Sequence, residues 1–174
     1  MKAKFRFLPC ALALFVSALP VFSQSKSIDA ASEKLVKEIM VNEMVTVILA
    51  KGRIGMENFA GTEGIQIINA YQIAKHEVTQ ELYTAVMGEN PSYFKNNPAD
   101  GEVQENRPVE NVSWYDAVYF CNKLSMIMRL APAYSINGET DPEKWGYTPH
   151  KGNSFKDTVT CSFSSNGFRL PVVE

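Results

Sequence analysis

Arg107–Ser125, RPVENVSWYDAVYFCNKLS, is the stretch whose reading decides the fold. Pro108 opens a short extended lead-in that runs to Val112. Ser113 then stands where a helix N-cap belongs, and Asp116 follows three residues later. At that spacing the hydroxyl accepts from one orphan N–H of the first turn while the carboxylate reaches back to another. Val112 and Ala117 occupy the positions of a hydrophobic staple, a weak one because alanine is small. Trp114, Ala117, Val118, Cys121, Leu124 and Met128 recur at three- and four-residue steps, which places them on one face. The spacing predicts a helix over 113–128 buried along that face, its residues serving packing rather than catalysis.

Working outward, HEVTQELYTAVMGENPSYF at 76–94 predicts a shorter helix with clear ends. Thr79 is its N-cap, and Val78 and Tyr83 form a staple. Leu82, Tyr83, Val86 and Met87 share a face, Gly88 lies just past the end, and Pro91 blocks continuation. KNNPADGEVQENR at 95–107 is polar and turn-rich, hence a surface loop. Further upstream, residues 44–56 are rich in β-branched side chains and broken by Gly52 and Gly55, giving a strand, a turn and the start of a second strand. Ile65 to Ile73 reads as one more strand after the turn at Gly61 and Gly64. Residues 24–43 begin polar and become amphipathic, with Ile28, Leu35 and Ile39 on one face and a Glu33–Lys37 pair one turn apart; they form a short helix or a loosely ordered lead into the domain.

Downstream, residues 130–165 are dense in Gly, Pro, Asn and Asp yet carry Tyr134, Trp145, Tyr147 and Phe155. A disordered segment rarely holds so many aromatics. The expectation is a long ordered excursion without regular structure, pinned to the core by those rings. Gly167–Leu170 is a brief extended piece, and Pro171 suits the first position of a new helix. The sequence stops at Glu174, so the domain reads as cut there.

Composition bounds what this chain can be. Hydrophobic residues at 45% and charged residues at 21% of 174 fit a soluble globular domain with its own core. A formal charge of −2, with no basic patch interleaved with aromatics, speaks against nucleic acid. Lys2, Lys4 and Arg6 precede an apolar run, Leu8 to Val16, and small residues flank a cleavage point after Ser23, the pattern of a bacterial signal peptide. The alternative, a membrane anchor, has a short run interrupted by Pro9 and Pro20. Cys10 does not suit a lipoprotein signal, because the apolar run follows it. Losing the leader removes three positive charges and takes the mature chain to −5, an acidic exported protein of periplasm, cell surface or medium. The boundaries are therefore 1–23 for the leader, 24–43 for the lead-in and 44–174 for the domain.

Few residues invite a chemical role. Cys121 and Cys161 could pair in an exported protein, or Cys121 could pack on its helix as a small hydrophobe. His76 and His150 lack the spacing of metal ligands. His76 reads as a surface or hydrogen-bonded histidine, and Glu77 as a carboxylate favoured by the helix dipole that holds the strand–helix junction. Asp141, Glu143 and Asp157 could meet calcium but lack the alternating oxygen spacing of a calcium loop. Asn111-Val112-Ser113 is a glycosylation sequon whose serine is needed as a cap. No catalytic, cofactor-binding or metal site is assigned from these residues.

Taken together the motifs resemble the formylglycine-generating enzyme family, also called sulfatase-modifying factor domains. Glu77-Val78-Thr79, Pro91-Ser92, Pro108-Val109, Val112-Ser113-Trp114, Asp116-Ala117, Phe120-Cys121, Gly167 and Arg169-Leu170-Pro171 stand at that family's signature positions. The match spans 44–174 and departs at Ala50-Lys51-Gly52, Ile54 and Glu57, and again at Val172-Val173-Glu174. The resemblance implies an α+β fold of the irregular, lectin-like kind, incomplete at its C-terminus. It also implies that a longer parent could oxidise a sulfatase cysteine with copper held by two cysteines, and could bind calcium. None of those ligands matches a residue here: Cys121 falls at a packing position and Cys161 at no catalytic one. Other relatives keep the fold as sulfoxide synthases, pigment-maturation enzymes or exported binding modules, so the enzyme question stays open. The implied partner is a sulfatase or another exported protein. The alternative is a non-catalytic ligand- or protein-binding module.

Overall fold

The computed structural model describes residues 15–16, 29–47, 54–57, 63–66, 71–151 and 156–171. The expected cleavage point after Ser23, the turn glycines Gly52 and Gly61, the ring of Phe155 and residues 172–174 lie outside the described residues. In chain order the elements are β1 (Phe15–Val16), α1 (Ala30–Glu43), β2 (Met44–Val47), β3 (Ile54–Glu57), β4 (Glu63–Gln66), β5 (Tyr71–Ala74), α2 (Gln80–Met87), α3 (Trp114–Ile127), β6 (Tyr134–Ile136) and β7 (Val159–Cys161). The strands form three small antiparallel sheets, β1-β5-β2, β3-β4 and β6-β7. This mixture of helices and short sheets is the α+β class expected.

Residues 29–43 hold a capped helix that belongs to the packed body, while residues 24–28, Ile28 among them, lie outside the described residues. Asp29 caps α1 by accepting from the Ala31 and Ser32 amides, and Glu33 meets Lys37 as expected. The buried side chains are Val36 and Met40, however, whereas Leu35 and Ile39 are only half-buried. The expected face is thus one residue out of phase: α1 packs on α2, and that neighbour selects the Val36–Met40 seam. The expected strand Ile65–Ile73 is described only at its two ends, residues 67–70 lying outside the described residues. β4 ends at Gln66 and β5 begins at Tyr71, and they pair in different sheets. Strand propensity marks extended backbone but carries no information about partners.

α2 has the predicted ends. Thr79 Oγ1 accepts from Leu82 N–H at 3.2 Å, and Gly88 takes the left-handed conformation (φ 88°) at the C-terminus, which glycine adopts without strain. α3 opens with a complete capping box: Ser113 Oγ accepts from the Asp116 amide, and the Asp116 carboxylate accepts from the Ser113 amide. It closes with the Leu130 amide on the Ser125 carbonyl and the Arg129 amide on that of Met126. Arg129 holds φ 58° at the position where glycine usually stands in such a cap.

α3 is more than an amphipathic surface helix. Every residue from Asp116 to Asn122 is buried, as are Leu124, Ser125 and Ile127, whereas Trp114 and Met128 are half-buried. Partners cover it on several sides: α2, the 3-10 turn Pro142–Lys144, and the Phe168 segment. Phe168 donates its amide to Ser125 Oγ at 2.8 Å. Polar side chains at the remaining faces secure the excursion. Asn122, wholly buried, donates to the Tyr134 and Thr140 carbonyls at 2.7 and 2.8 Å and accepts from the Tyr134 amide at 3.0 Å. Tyr134 and Trp145 are buried as expected. Contrary to expectation the excursion also carries regular structure, the β6–β7 pair, in which Tyr134 faces Cys161.

Candidate functional site

Four titratable side chains, Asp116, Tyr147, His150 and Tyr83, meet at the start of α3. Placed at the third position of α3 by the capping box, Asp116 is 2% exposed. It accepts from the Ser113 amide at 2.9 Å and hydroxyl at 2.7 Å on Oδ2, and from the Tyr147 hydroxyl at 2.8 Å and the His150 amide at 3.1 Å on Oδ1. The His150 ring lies between two helices. Its Nδ1 is 3.5 Å from Asp116 Oδ2, and its Nε2 is 3.0 Å from the Tyr83 hydroxyl of α2. Tyr83 in turn stacks on Phe120 at 5.1 Å between centroids.

The electrostatics follow from burial and bonding. Burial alone would push the Asp116 carboxyl up, but the bonds from Ser113, Tyr147 and the His150 amide outweigh it and hold the group below the ordinary carboxylate range. Burial, with the nearby Asp116 charge, pushes the Tyr83 phenol up. Burial likewise raises Tyr147, to about 12. Both phenols therefore stay protonated: Tyr147 donates to the carboxylate, and Tyr83 donates to His150 Nε2 in the tautomer that carries its hydrogen on Nδ1, towards Asp116, and accepts from Nε2 in the other. A phenol–imidazole–carboxylate chain has the parts of a proton relay, but Tyr83 is 0% exposed, so no substrate atom reaches its hydroxyl. Its structural effect is a latch: the excursion, through Tyr147 and His150, is bolted to both helices.

The other residues singled out in the sequence lie apart from this cluster. His76 and Glu77 are exposed, and Glu77 makes no side-chain bond to another described residue, so its expected hold on the junction is not seen. They border a recess of about 10 Å³ lined also by Ile39 and Leu82, room for one water at most. Asp141 caps the 3-10 turn through the Glu143 amide and pairs with Lys144 at 3.5 Å, while Asp157 is exposed and takes the Tyr115 hydroxyl on its main-chain carbonyl. Asn111 donates to the Pro91 carbonyl at 3.0 Å, and Ser113 serves as the cap. Among the described residues no group of three or more His, Cys, Asp or Glu side chains could hold a metal ion.

Of the two readings of the cysteines, the packed one holds: Cys121 and Cys161 are both free. Cys121 is fully buried, and burial, with Cys161 nearby, pushes its thiol well above the usual range. Cys121 is sealed in the core and Cys161 is half-buried, and among the described residues neither belongs to a group of three or more His, Cys, Asp or Glu side chains, so their surroundings do not build a copper site.

At the centre stands the tryptophan-led, box-capped helix with its latched excursion. The sequence pattern of the sulfatase-modifying factor enzyme 1-like domain matches residues 31–173, and the chain belongs to that family. The match begins inside α1, in keeping with the packing of that helix. Among individual proteins the chain is similar to "Chaperone protein LppX" of Paenibacillus barcinonensis, 42% identical over 105 residues, which is 60% of this chain and 33% of that protein. Its fold is similar to that of "Treponema denticola variable protein 1", with a TM-score of 0.60 and 39% identity over 74% of this chain and 48% of the other. The chain thus spans about a third of the one and half of the other. No helix among the described residues is long and apolar enough to cross a membrane.

Proposed function

We propose that this chain is a non-catalytic, polypeptide-binding unit of an exported sulfatase-modifying factor domain. The observation that carries this reading is the inward turn of its polar cluster: the hydroxyl of Tyr83, the carboxylate of Asp116 and the imidazole of His150 are engaged with one another rather than offered to a substrate. The name of the similar Paenibacillus protein, a chaperone, supports polypeptide binding. The irregular, lectin-like plan of the family, with loops carried on a rigid body, supports recognition in place of chemistry. Incubating the full chain with a cysteine-containing sulfatase-type peptide, copper and oxygen, followed by mass spectrometry, is expected to leave the cysteine intact while calorimetry with unfolded exported polypeptides detects binding. Conversion of the cysteine to an aldehyde would overturn the reading.

A second reading is favoured by the family description itself, that of a modifying enzyme. On it, a longer parent oxidises a sulfatase cysteine with copper, with calcium as a structural ion, and this chain contributes scaffold alone. Export is part of both readings. Secretion of the full chain from a bacterial host is expected to yield a mature protein beginning at Gln24; recovery of an intact Met1 outside the cytoplasm would count against the leader.

A further inference from the structure

Tyr93 and Phe94 are 79% and 58% exposed, yet the loop that carries them is firmly held. Its anchor is Gln80, a buried glutamine on the first turn of α2. Gln80 Nε2 donates to the Phe94 and Pro108 carbonyls at 3.2 and 3.3 Å, and its Oε1 accepts from Asn90 and Gln104 at 2.8 and 2.9 Å. The Phe94 carbonyl also takes Gln104 Nε2 at 3.0 Å, while its amide donates to Glu110 at 2.8 Å. The two rings stand edge to face at 5.0 Å. Displaying two large apolar rings on a pre-organised backbone is unfavourable for an isolated surface and favourable for a binding one, because little conformational freedom remains to be lost on contact.

The surroundings state which partner fits. Residues 89–110 carry five acids, Glu89, Asp100, Glu102, Glu105 and Glu110, against two bases, Lys95 and Arg107. Arg107 and Glu102 pair at 3.6 Å, Glu110 accepts from the Phe94 amide, and Lys95 lies 3.5 Å from the Asn90 carbonyl. The segment that displays the rings therefore carries a net charge of −3, five acids against two bases, which attracts cationic and repels anionic partners.

Resting on the polypeptide-binding reading above, we propose that the Tyr93–Phe94 corner is the docking surface for an extended, positively charged polypeptide segment, its apolar side chains against the two rings and its Lys or Arg side chains drawn by the net negative charge of residues 89–110. The test compares the full chain with its Tyr93→Ser/Phe94→Ser double variant. Both rings are exposed, so the fold is expected to survive, which an unchanged thermal midpoint checks. Two fluorescent peptides of equal apolar content are titrated in, one rich in Lys and Arg and one rich in Asp and Glu. The basic peptide is expected to bind, to bind about tenfold more weakly to the double variant, and to weaken as salt is raised. The acidic peptide is expected not to bind, and Phe163→Ser, at an exposed ring elsewhere, is expected to change nothing. Equal binding of both peptides, or unchanged binding by the double variant, would overturn the surface while leaving the polypeptide-binding reading in place. Binding of neither peptide nor of unfolded exported polypeptides would overturn both. Self-association that the double variant abolishes, without peptide binding, would assign the corner to a second copy of the chain and overturn the proposal.

Discussion

At Gly167 the backbone runs so close to Ala131 that an added Cβ would lie 2.2 Å from its carbonyl oxygen and 2.8 Å from Ser125 Oγ. Both neighbours are tied down: Ser125 Oγ bonds the Cys121 carbonyl and the Phe168 amide, and the Ala131 amide donates to Asn166 Oδ1 at 2.8 Å. Gly167→Ala is therefore expected to destabilise the chain by about 2 kcal/mol in urea unfolding, the usual scale of overpacking. Asn122→Leu is expected to cost about 3 kcal/mol by the same measurement, because it strands the Tyr134 amide and two carbonyls away from water. A loss under 1 kcal/mol would show that water enters and replaces the amide. These two residues mark the limit of what the sequence discloses. Ser113 and Asp116 are legible because their bond spans three positions and has a local signature. Asn122 and Gly167 find their partners many positions away, and nothing in their immediate surroundings announces it.

Among the elements, α3 concentrates the testable chemistry at its two ends. At its start, the Asp116 carboxyl is held below its ordinary 3.8 in the folded state. A depressed folded value means that the contribution is present above the unfolded value and is lost as pH falls through the folded one. Acid titration of stability should therefore decline below about pH 4, and Asp116→Asn should be less stable at neutral pH with a shallower decline in that window; parallel curves would remove Asp116 from the acid response. At its end, Arg129 occupies a left-handed conformation, and its ion pair with Glu33, 3.7 Å long and solvent-exposed, returns little. Arg129→Gly is expected to stabilise by about 1 kcal/mol in the same unfolding experiment. Helix ends were readable in advance because caps are chemical and local. The buried face of α1 and the partners of β4 and β5 were not, because they are selected by neighbours: α2 chooses Val36 and Met40 over Leu35, and strand-forming residues carry no label naming the sheet they join.

For the molecule as a whole, the Tyr83–His150–Asp116 latch is the longest-range tie in the candidate site, joining positions 67 apart. Contacts that close large loops tend to form after the folding barrier, so loosening them speeds unfolding more than it slows folding. His150→Asn, which tolerates the left-handed backbone at this position (φ 57°), is expected to raise the unfolding rate about tenfold in stopped-flow measurements with the refolding rate nearly unchanged. Equal changes in both rates would place the latch in the folding nucleus. The order of the chain gives that geometry a temporal meaning. α2 and α3 both precede His150 in the chain, so wherever the chain emerges N-terminus first the Tyr83 phenol stays wetted until the imidazole follows. A chain halted in that interval lacks the ties of Tyr147 and His150 to Asp116 and Tyr83, and is expected to be cut by proteases faster than the mature form.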